Sequence, residues 1–212
     1  MKIKVVKNIL DANEQMAAEN KTLFKKKGLI AINIMASPGA GKTSLILRTI
    51  EELGEPLAVI EGDIASTLDA EKVGEKKVPV VQINTDGGCH LDAAMIRTSL
   101  DKLKLDGARY LFIENVGNLV CPAEFQLGES ERVLVASVPE GDDKPFKYPG
   151  MFATVQAIVL NKMDIVPYID FSVARFMEGV RAVNPEAPVF QLSCRTKEGL
   201  SDWIDWLKKI GP

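Results

Sequence analysis

The segment that most constrains the fold is an apolar run followed by a small-residue loop and the start of a helix. Residues 29–35 are apolar except for Asn33, residues 36–41 read ASPGAG, and Lys42 and Thr43 open a helical pattern. In such a unit, glycines let backbone N–H groups close around a phosphate, and the helix N-terminus adds its positive dipole end. The lysine can reach the β- and γ-phosphates, and the threonine hydroxyl is placed to bind Mg²⁺. The candidate GTP-binding residues of this unit are Gly39, Ala40, Gly41, Lys42, Thr43 and Ser44.

The rest of the chain alternates apolar runs with helical patterns. Strands are predicted at residues 29–35, 57–60, 78–84, 110–114, 132–137, 156–160 and 188–192. Helices are predicted to begin near Lys42, Thr67, His90, Phe171 and Gly199. Apolar, β-branched runs separated by helices are typical of an α/β fold with a mainly parallel sheet covered on both faces.

The same pattern divides the chain into two parts. Residues 1–28 are predicted to form an arm and a flanking helix that stops at Gly28, and residues 29–212 a single nucleotide-binding domain. The phosphate loop begins with Ala36 where the usual pattern has glycine, so its backbone should keep a negative φ. The charged, proline-containing stretch 141–149 is predicted to be an irregular loop.

The composition limits the kinds of partner and compartment. With 212 residues the chain suffices for one substantial domain, and a net charge of −3 predicts no attraction to nucleic acid or an anionic membrane. The sequence has no apolar run near the roughly 20 residues that span a bilayer, and no apolar signal core is recognised. Three cysteines in this context favour reduced thiols in the cytoplasm, with packing or metal binding as their roles.

Two further motifs indicate which base the bound nucleotide would have. An N-K-x-D set follows the sixth predicted strand, and an S-C-R-T stretch follows the seventh. The carboxylate of the first set can accept two hydrogen bonds from guanine N1–H and the 2-amino group, a pair that adenine lacks. The lysine is expected along the ring face, the asparagine between neighbouring loops, and a backbone N–H of the second stretch at guanine O6. These motifs resemble the guanine-specificity loops of G proteins, and the candidate GTP-binding residues in them are Asn161, Lys162, Asp164, Ser193 and Cys194.

Two acids are candidates for magnesium binding and hydrolysis. Asp63 and Glu114 both follow apolar runs, so both are expected at strand ends on the γ-phosphate side. A P-loop enzyme needs a carboxylate that holds Mg²⁺, directly or through water, and a polar group that orients the attacking water. With Thr43 these acids form the predicted magnesium set, and with Lys42 the predicted catalytic set. No glutamine closely follows Gly117, so Asp63 is the candidate for orienting water, and slow intrinsic hydrolysis is expected.

Two cysteines and the single histidine of the chain form a possible soft-metal site. Cys89 and His90 follow the third predicted strand, and Cys121 follows the fourth. Thiolate and imidazole suit Zn²⁺ or Ni²⁺ and disfavour Mg²⁺. Three ligands are one short of a tetrahedral shell, so water, another residue or a second copy of the chain would complete it. From the residues alone, a buried thiol pair with a capping histidine stays an equal alternative.

The chain carries five segments in the order SPGAGKT, EGDIAST, NTDGGCHLDA, ENVGNLVCPAEF and NKMD. This order is similar to that of the HypB family, the GTPases that deliver nickel to [NiFe] hydrogenase. The chain resembles this family over residues 5–210. The resemblance implies a seven-stranded sheet of the nitrogenase-like (SIMIBI) branch of P-loop proteins, GTP hydrolysis, and a homodimer favoured by GTP. It implies a nickel or zinc site at the dimer interface from Cys89, His90 and Cys121, with a HypA-type nickel protein as partner and the hydrogenase large subunit as client.

The chain also departs from that family. Many members carry an N-terminal cysteine-rich or histidine-rich nickel tract, and this sequence has neither, so any metal transfer is expected to use the interface site. Asp86 and Gln126 stand where Gly and Asp are expected. The predicted function is a GTP-hydrolysing metallochaperone. The alternatives are a urease-type nickel GTPase, expected to carry Cys and His together on one segment, a regulatory G protein with structural thiols, and a nucleotide-binding scaffold without turnover.

Overall fold

The computed structural model describes residues 7–64 and 66–211 as a seven-stranded sheet with helices on both faces. The strands are β1 (Ile30–Ala36), β2 (Leu57–Asp63), β3 (Val80–Asn84), β4 (Tyr110–Glu114), β5 (Glu131–Ser137), β6 (Ala157–Asn161) and β7 (Val189–Gln191). The helices are α1 (Lys7–Lys27), α2 (Lys42–Leu53), α3 (Leu68–Glu75), α4 (Ala93–Leu100), α5 (Cys121–Glu124), α6 (Lys144–Lys147), α7 (Pro149–Ala153), α8 (Val173–Val183) and α9 (Leu200–Lys209). Two 3₁₀ helices lie at Val138–Glu140 and Met163–Tyr168. Across these ranges, no helix is both long and apolar enough to cross a membrane.

The sheet has the strand order β3-β2-β4-β1-β5-β6-β7, and every pairing between the described strands is parallel. The predicted α/β fold with seven strands is therefore confirmed, and the sheet is wholly rather than mainly parallel. β1 lies in the centre, between β4 and β5. Because all strands point the same way, the loops that follow them meet at one edge of the sheet.

The predicted strands are all present, and their ends differ by a few residues. β2 continues past the predicted end at residue 60 to Asp63, since its backbone still pairs with β3 as far as Asn84. The helix predicted near His90 begins later, at Ala93, where Asp92 accepts a hydrogen bond from the Met95 backbone N–H at 2.7 Å. An aspartate in this position satisfies a free N–H group of the first turn and so fixes where the helix starts.

The two faces of the sheet are covered differently. On one face, α2, α3 and α9 pack on a continuous apolar cluster that includes Ile30, Ile32 and Ile34 of β1. On the other face, α1 and α4 cover β2 and β4, whereas α7 and α8 cover β5 and β6. Alternate β1 residues point to this second face, and Asn33 lies there, fully buried, between the two apolar clusters. A polar side chain therefore occupies the seam at the centre of the sheet.

The prediction of an irregular loop at 141–149 was wrong. Residues 144–147 form α6, and α7 begins at Pro149. Proline fits the first turn of a helix because the N–H that it lacks has no helical partner there, so both prolines of this stretch start helices instead of preventing them. Lys144 and Lys147 both lie within ion-pairing distance of Asp143.

The N-terminal helix is fastened to the start of α4 and to the segment that follows α5. The arm predicted before it lies outside the described residues, but α1 itself is confirmed and is followed by Gly28 in a left-handed conformation with φ 67°. Asn13 donates to the Gln126 carbonyl at 2.9 Å, and Asn20 donates to the Leu127 carbonyl at 3.0 Å. The same two asparagines also bond the backbone of Ala93 at the start of α4.

The close approach of α1 depends on Gly128. Its φ is +96°, and an added Cβ would lie 2.5 Å from the Ala17 carbonyl oxygen of α1. We expect Gly128→Ala to lower the free energy of unfolding by about 3 kcal/mol, because a strained backbone and a steric conflict add together. Urea denaturation of the metal-free and nucleotide-free protein would measure this loss.

A matched control is Gly107→Ala. Gly107 also has a positive φ of +76°, but a Cβ there would meet nothing within 4 Å. Gly107→Ala should lower the free energy of unfolding by only about 1 kcal/mol, because only the backbone is strained. Equal losses for the two variants would show that α1 does not depend on the space at Gly128.

Candidate functional site

The residues singled out in the sequence lie along the edge of the sheet where the strands end. The phosphate loop follows β1 in the centre, and the candidate acids lie at the ends of β2 and β4. The cysteine and histidine segments follow β3 and β4, and the base loops follow β6 and β7. Ligands of open α/β sheets bind at this edge, so the topology places every candidate group in the expected region.

The phosphate loop is held in shape by a glycine and an asparagine. Gly41, which precedes α2, has φ 106°, and a Cβ there would lie 2.4 Å from Asn161 Nδ2. Asn161 Nδ2 donates to the Ala40 carbonyl at 2.9 Å. Its oxygen accepts hydrogen bonds from the backbone N–H groups of Lys162 and Cys194. Asn161 thus ties the phosphate loop to both base loops, and only glycine at position 41 permits this approach.

A cleft of about 370 Å³ lies beside the phosphate loop, between the two base loops. On its wall the Asp164 carboxylate accepts hydrogen bonds from Ser193 Oγ at 2.6 Å and from Arg195 Nε at 2.8 Å. These two contacts, the serine first, hold the pKa of Asp164 below its ordinary value, so the group is an ionised acceptor. Lys162 Nζ donates to the Gly39 carbonyl at 2.7 Å, which places its stem along the cleft.

The predicted magnesium and catalytic residues lie at the other side of the loop. Glu114 Oε1 accepts a hydrogen bond from Thr43 Oγ1 at 3.0 Å and lies 3.7 Å from Lys42 Nζ. Asp63 lines the same pocket of about 230 Å³, and its carboxylate accepts from the Ser66 backbone N–H at 3.1 Å. Ala36 ends β1 without a positive φ, as the substitution for glycine requires.

Sequence reasoning missed a third acid, Glu61. The register of β2 and β4 sets Glu61 directly opposite Glu114, and only 2% of Glu61 is exposed. Burial, followed by the neighbouring Glu114, raises the pKa of Glu61 to about 10. Burial also raises the pKa of Glu114, against the opposing effect of Lys42. The pair therefore retains a proton at neutral pH. In the sequence, the sign that could have identified Glu61 was an acidic residue within an apolar run.

The two carboxyl groups fit a hard divalent cation. Glu61 Oε1 and Glu114 Oε2 are both buried and have no hydrogen-bond partner within the described residues. Carboxylate and hydroxyl oxygens are the ligands that Mg²⁺ prefers, and Thr43 supplies a hydroxyl beside them. The residues present thus match a magnesium ion, with one more carboxylate than the sequence motif indicated.

The three candidate soft-metal ligands come together. Cys89 Sγ lies 2.9 Å from Cys121 Sγ and 3.6 Å from His90 Nδ1, and the ligand atoms of all three lie within 4.8 Å of one another. The His90 ring stacks on Phe125, with 3.8 Å between the ring centroids. Cys194, which sequence reasoning left out of this set, is buried in the base loop instead.

Burial and hydrogen bonding shift the pKa values of the imidazole and of one thiol of this cluster in opposite directions. Partial burial lowers the pKa of His90, which favours the neutral imidazole that ligates metals. The hydrogen bond with Cys89 raises the pKa of the Cys121 thiol, so Cys121 keeps its proton in the absence of metal. A soft divalent ion would bind the sulfurs as thiolates and displace the thiol protons to solvent.

The histidine segment is fastened to the end of β2. Leu91 is fully buried, and its side chain lies over Gly62, where a Cβ would come within 2.7 Å of it. The Leu91 backbone N–H donates to Asn115 Oδ1 at 3.1 Å. Gly62 lies between Glu61 and Asp63, so this part of the metal cluster packs directly on the strand that carries two acids.

The Cys121 segment is fastened to the phosphate loop. It begins directly after Glu114, and the Asn118 backbone N–H donates to the Ala36 carbonyl at 2.7 Å. Gly117 packs on Pro38 of the phosphate loop, where a Cβ would lie 3.0 Å from the proline. One short segment therefore connects a magnesium candidate, the phosphate loop and a metal thiol.

Known proteins with similar sequences point to one family. The profile of the CobW/HypB/UreG nucleotide-binding domain matches residues 30–191. The hydrogenase maturation factor HypB of Azotobacter vinelandii is 48% identical over 210 residues, which span 98% of this chain and 69% of that protein. The hydrogenase/urease maturation factor HypB of Helicobacter pylori (strain ATCC 700392 / 26695) is 40% identical over 97% of this chain and 86% of that protein.

A solved structure agrees with these matches. The crystal structure of HypB from Helicobacter pylori in complex with nickel matches with a TM-score of 0.89 at 38% identity, covering 93% of this chain and 94% of that one. The resemblance drawn from the five sequence segments is therefore confirmed, as is the P-loop fold. The chain belongs to the HypB hydrogenase maturation factors, within the CobW/HypB/UreG family of nucleotide-binding proteins.

Proposed function

We propose that this chain is a GTP-hydrolysing metallochaperone that binds nickel, or zinc, and promotes nickel insertion during [NiFe] hydrogenase maturation. One observation carries this proposal: the segment from Glu114 to Cys121 touches both the nucleotide side and the metal cluster of the same sheet edge. A change at the phosphate loop can therefore reposition a metal ligand. The names of the relatives, which are hydrogenase maturation factors, support the client.

The base cleft supports guanine over adenine. Asp164 is ionised and acts only as an acceptor, so it suits the N1–H and 2-amino donors of guanine. An adenine in the same place would leave this charge without donors. The Cys194 N–H, which here meets Asn161, lies in the loop proposed to face guanine O6.

The proposed hydrolysis divides its roles among the residues of the γ-phosphate side. Lys42 binds the β- and γ-phosphates, and Thr43 with Glu114 and Glu61 holds the magnesium site. Mg²⁺, when bound there with GTP, neutralises the charge that develops on the phosphates. Asp63 accepts a hydrogen bond from the attacking water and orients it. Turnover is slow because no glutamine closely follows Gly117 to share that role.

A homodimer favoured by GTP would complete the metal shell. Three large apolar side chains are exposed around the two sites: Ile64 by 50%, Leu68 by 63% and Val120 by 56%. Val120 precedes Cys121, and Ile64 lines the magnesium pocket. A second copy docked across this edge would cover these side chains and bring a second ligand set to the first. A HypA-type nickel protein is the proposed partner and the hydrogenase large subunit the proposed client, in the cytoplasm.

The alternatives separate by simple measurements. Structural thiols in a regulatory G protein would bind no stoichiometric nickel, and a scaffold without turnover would release no phosphate from GTP. The name of the Helicobacter pylori relative includes urease, so activation of hydrogenase and of urease should be assayed side by side. The proposal requires that hydrogenase depend on this chain.

We expect Asp164→Asn to lower the affinity for GTP about 100-fold, because two charge-assisted hydrogen bonds to the base are lost or mispaired. Xanthine carries a carbonyl in place of the 2-amino group, and an asparagine amide offers it a donor and an acceptor. Affinity for XTP should therefore rise in the same variant. Competition against a fluorescent guanine nucleotide measures both changes.

Asp106→Asn, which removes an exposed acid in another loop, is the control and should leave both affinities unchanged. Unaltered GTP preference in Asp164→Asn would contradict the guanine assignment.

We expect Cys89→Ala to weaken Ni²⁺ binding about 10-fold or more, because a thiolate ligand is lost. Without nucleotide, Cys194→Ala removes a thiol outside the cluster and should bind Ni²⁺ like the wild type. Isothermal titration at pH 7.5, with GDP and with a non-hydrolysable GTP analogue, would then test the switch. By linkage, a nucleotide that changes Ni²⁺ affinity must itself bind with an affinity that Ni²⁺ changes equally. Equal Ni²⁺ affinities in both nucleotide states would refute the switch.

The Glu61–Glu114 pair predicts a particular dependence of stability on pH. Glu61 has a folded pKa of about 10 against 4.5 as its ordinary value, so between these limits the folded state binds more protons than the unfolded state. The free energy of unfolding should therefore fall as pH rises through this window, by at most about 1.4 kcal/mol per unit. Without metal or nucleotide, Glu61→Gln should remove most of this fall.

Urea denaturation at pH 6, 7 and 8 measures this difference. Glu186→Gln, at an exposed acid, should follow the wild-type profile. Parallel profiles for wild type and Glu61→Gln would mean that the pair is ionised in the folded protein.

A further inference from the structure

A buried chain of hydrogen bonds runs beneath the metal cluster. It starts at the Leu91 backbone N–H, next to the histidine, which donates to Asn115 Oδ1 at 3.1 Å. Asn115 Nδ2 donates to Asn33 Oδ1 at 3.2 Å, and Asn33 Nδ2 donates to Glu129 Oε1 at 3.2 Å. Glu129 Oε1 also accepts from Arg132 Nε at 2.7 Å. The chain thus crosses from β4 through the central strand β1 to β5.

The far end of this chain holds the other metal segment. The Arg132 guanidinium donates to the carbonyls of Pro122 at 3.2 Å, Ala123 at 3.1 Å and Phe125 at 3.0 Å. Pro122 is the residue after the second thiol, and the Phe125 ring carries the stacked histidine. One guanidinium therefore fixes the whole turn that presents Cys121 and the surface on which the imidazole rests.

The side chains of this hydrogen-bonded row are deeply buried. Asn33 and Asn115 are fully buried, and Arg132 and Glu129 are 8% and 9% exposed. They fill the seam between the two apolar clusters on one face of the sheet. Buried polar and charged groups are costly unless they are paired, so this row is stable only as a connected set. Its two ends reach the two metal segments. A row that served only the stability of the fold would not need to end at both of them.

We propose that Asn33 and Arg132 are positioning residues of the nickel site, which set the distance between the Cys89–His90 segment and Cys121. This inference rests on the proposed function and identifies residues that neither the sequence motifs nor the ligand set contains. Groups that orient metal ligands without touching the metal commonly change its affinity 10–100-fold when they are replaced. Asn115 directly follows Glu114, so the same row also joins the metal segments to the magnesium side.

The test uses two substitutions in the full chain. Arg132→Lys keeps the charge beside Glu129 but cannot donate to three carbonyls at once. Asn33→Leu keeps the number and branching of the side-chain heavy atoms and removes both hydrogen bonds in the middle of the row. Each should weaken Ni²⁺ binding about 10-fold and shift the thiolate-to-nickel absorption bands, with GDP affinity within about twofold of wild type because the phosphate and base loops are untouched.

The chain offers closely matched controls. Arg181 donates to the carbonyls of Asn184, Pro185 and Ala187, and Asn184 donates to those of Phe152 and Val155, all remote from the sheet edge. Arg181→Lys and Asn184→Leu should therefore leave Ni²⁺ affinity and the absorption bands unchanged. Circular dichroism and urea midpoints of all four variants show whether each is folded. The variants at Asn33 and Arg132 are two independent tests of the positioning role.

Three outcomes decide the matter. Selective loss of Ni²⁺ affinity in Arg132→Lys and Asn33→Leu, with both controls unchanged, supports the positioning role. If wild type binds Ni²⁺ through Cys89 and these two variants bind it equally well, or if the controls lose as much, then the positioning role is wrong while the proposed function stands. If wild type and Cys89→Ala bind Ni²⁺ alike, then the nickel assignment fails and the positioning role fails with it.

Discussion

The parallel pairing of β4 beside β1 is the interaction on which the site depends. It sets Glu114 opposite Ile34, two residues before the end of the strand that leads into the phosphate loop. The chain must then turn away from β4 across the front of that loop, and within seven residues it reaches Cys121. A thiol and a magnesium candidate therefore share one short segment because of the sheet register, before any side chain is considered.

The same register creates an electrostatic cost at the nucleotide side. β2 on the other side of β4 sets Glu61 opposite Glu114, and both carboxyls are buried beside Lys42. Two adjacent buried carboxylates cannot both ionise cheaply, so one proton stays between them. A divalent cation bound there would offset the repulsion between the two carboxylates, so the proton would no longer be needed. Such an arrangement lowers the stability of the fold, and a preformed cation site would explain why it is present.

The sequence predicted the site better than it predicted the residues that support it. Cys89, His90 and Cys121 were found from ligand chemistry and their places after strands, and they do lie together. Glu61 was missed because its importance comes from the strand opposite, which a linear pattern does not contain. Asn33 and Arg132 were missed for the same reason: each reads as an isolated polar residue in an apolar strand until the register sets them side by side.

If the Cys89, His90 and Cys121 cluster takes up a metal, as we propose, its two thiols would have to move apart. The two sulfurs lie 2.9 Å apart, within hydrogen-bonding distance. Tetrahedral zinc, with Zn–S bonds of about 2.3 Å, requires sulfurs about 3.8 Å apart, so the thiols must separate by roughly 1 Å. The Cys121 segment is hydrogen-bonded to the Ala36 carbonyl, and the histidine segment packs on Gly62. Under the proposed function, metal loading would therefore act on the phosphate loop and on the acid-bearing strand, and by linkage the nucleotide state would act equally on the metal.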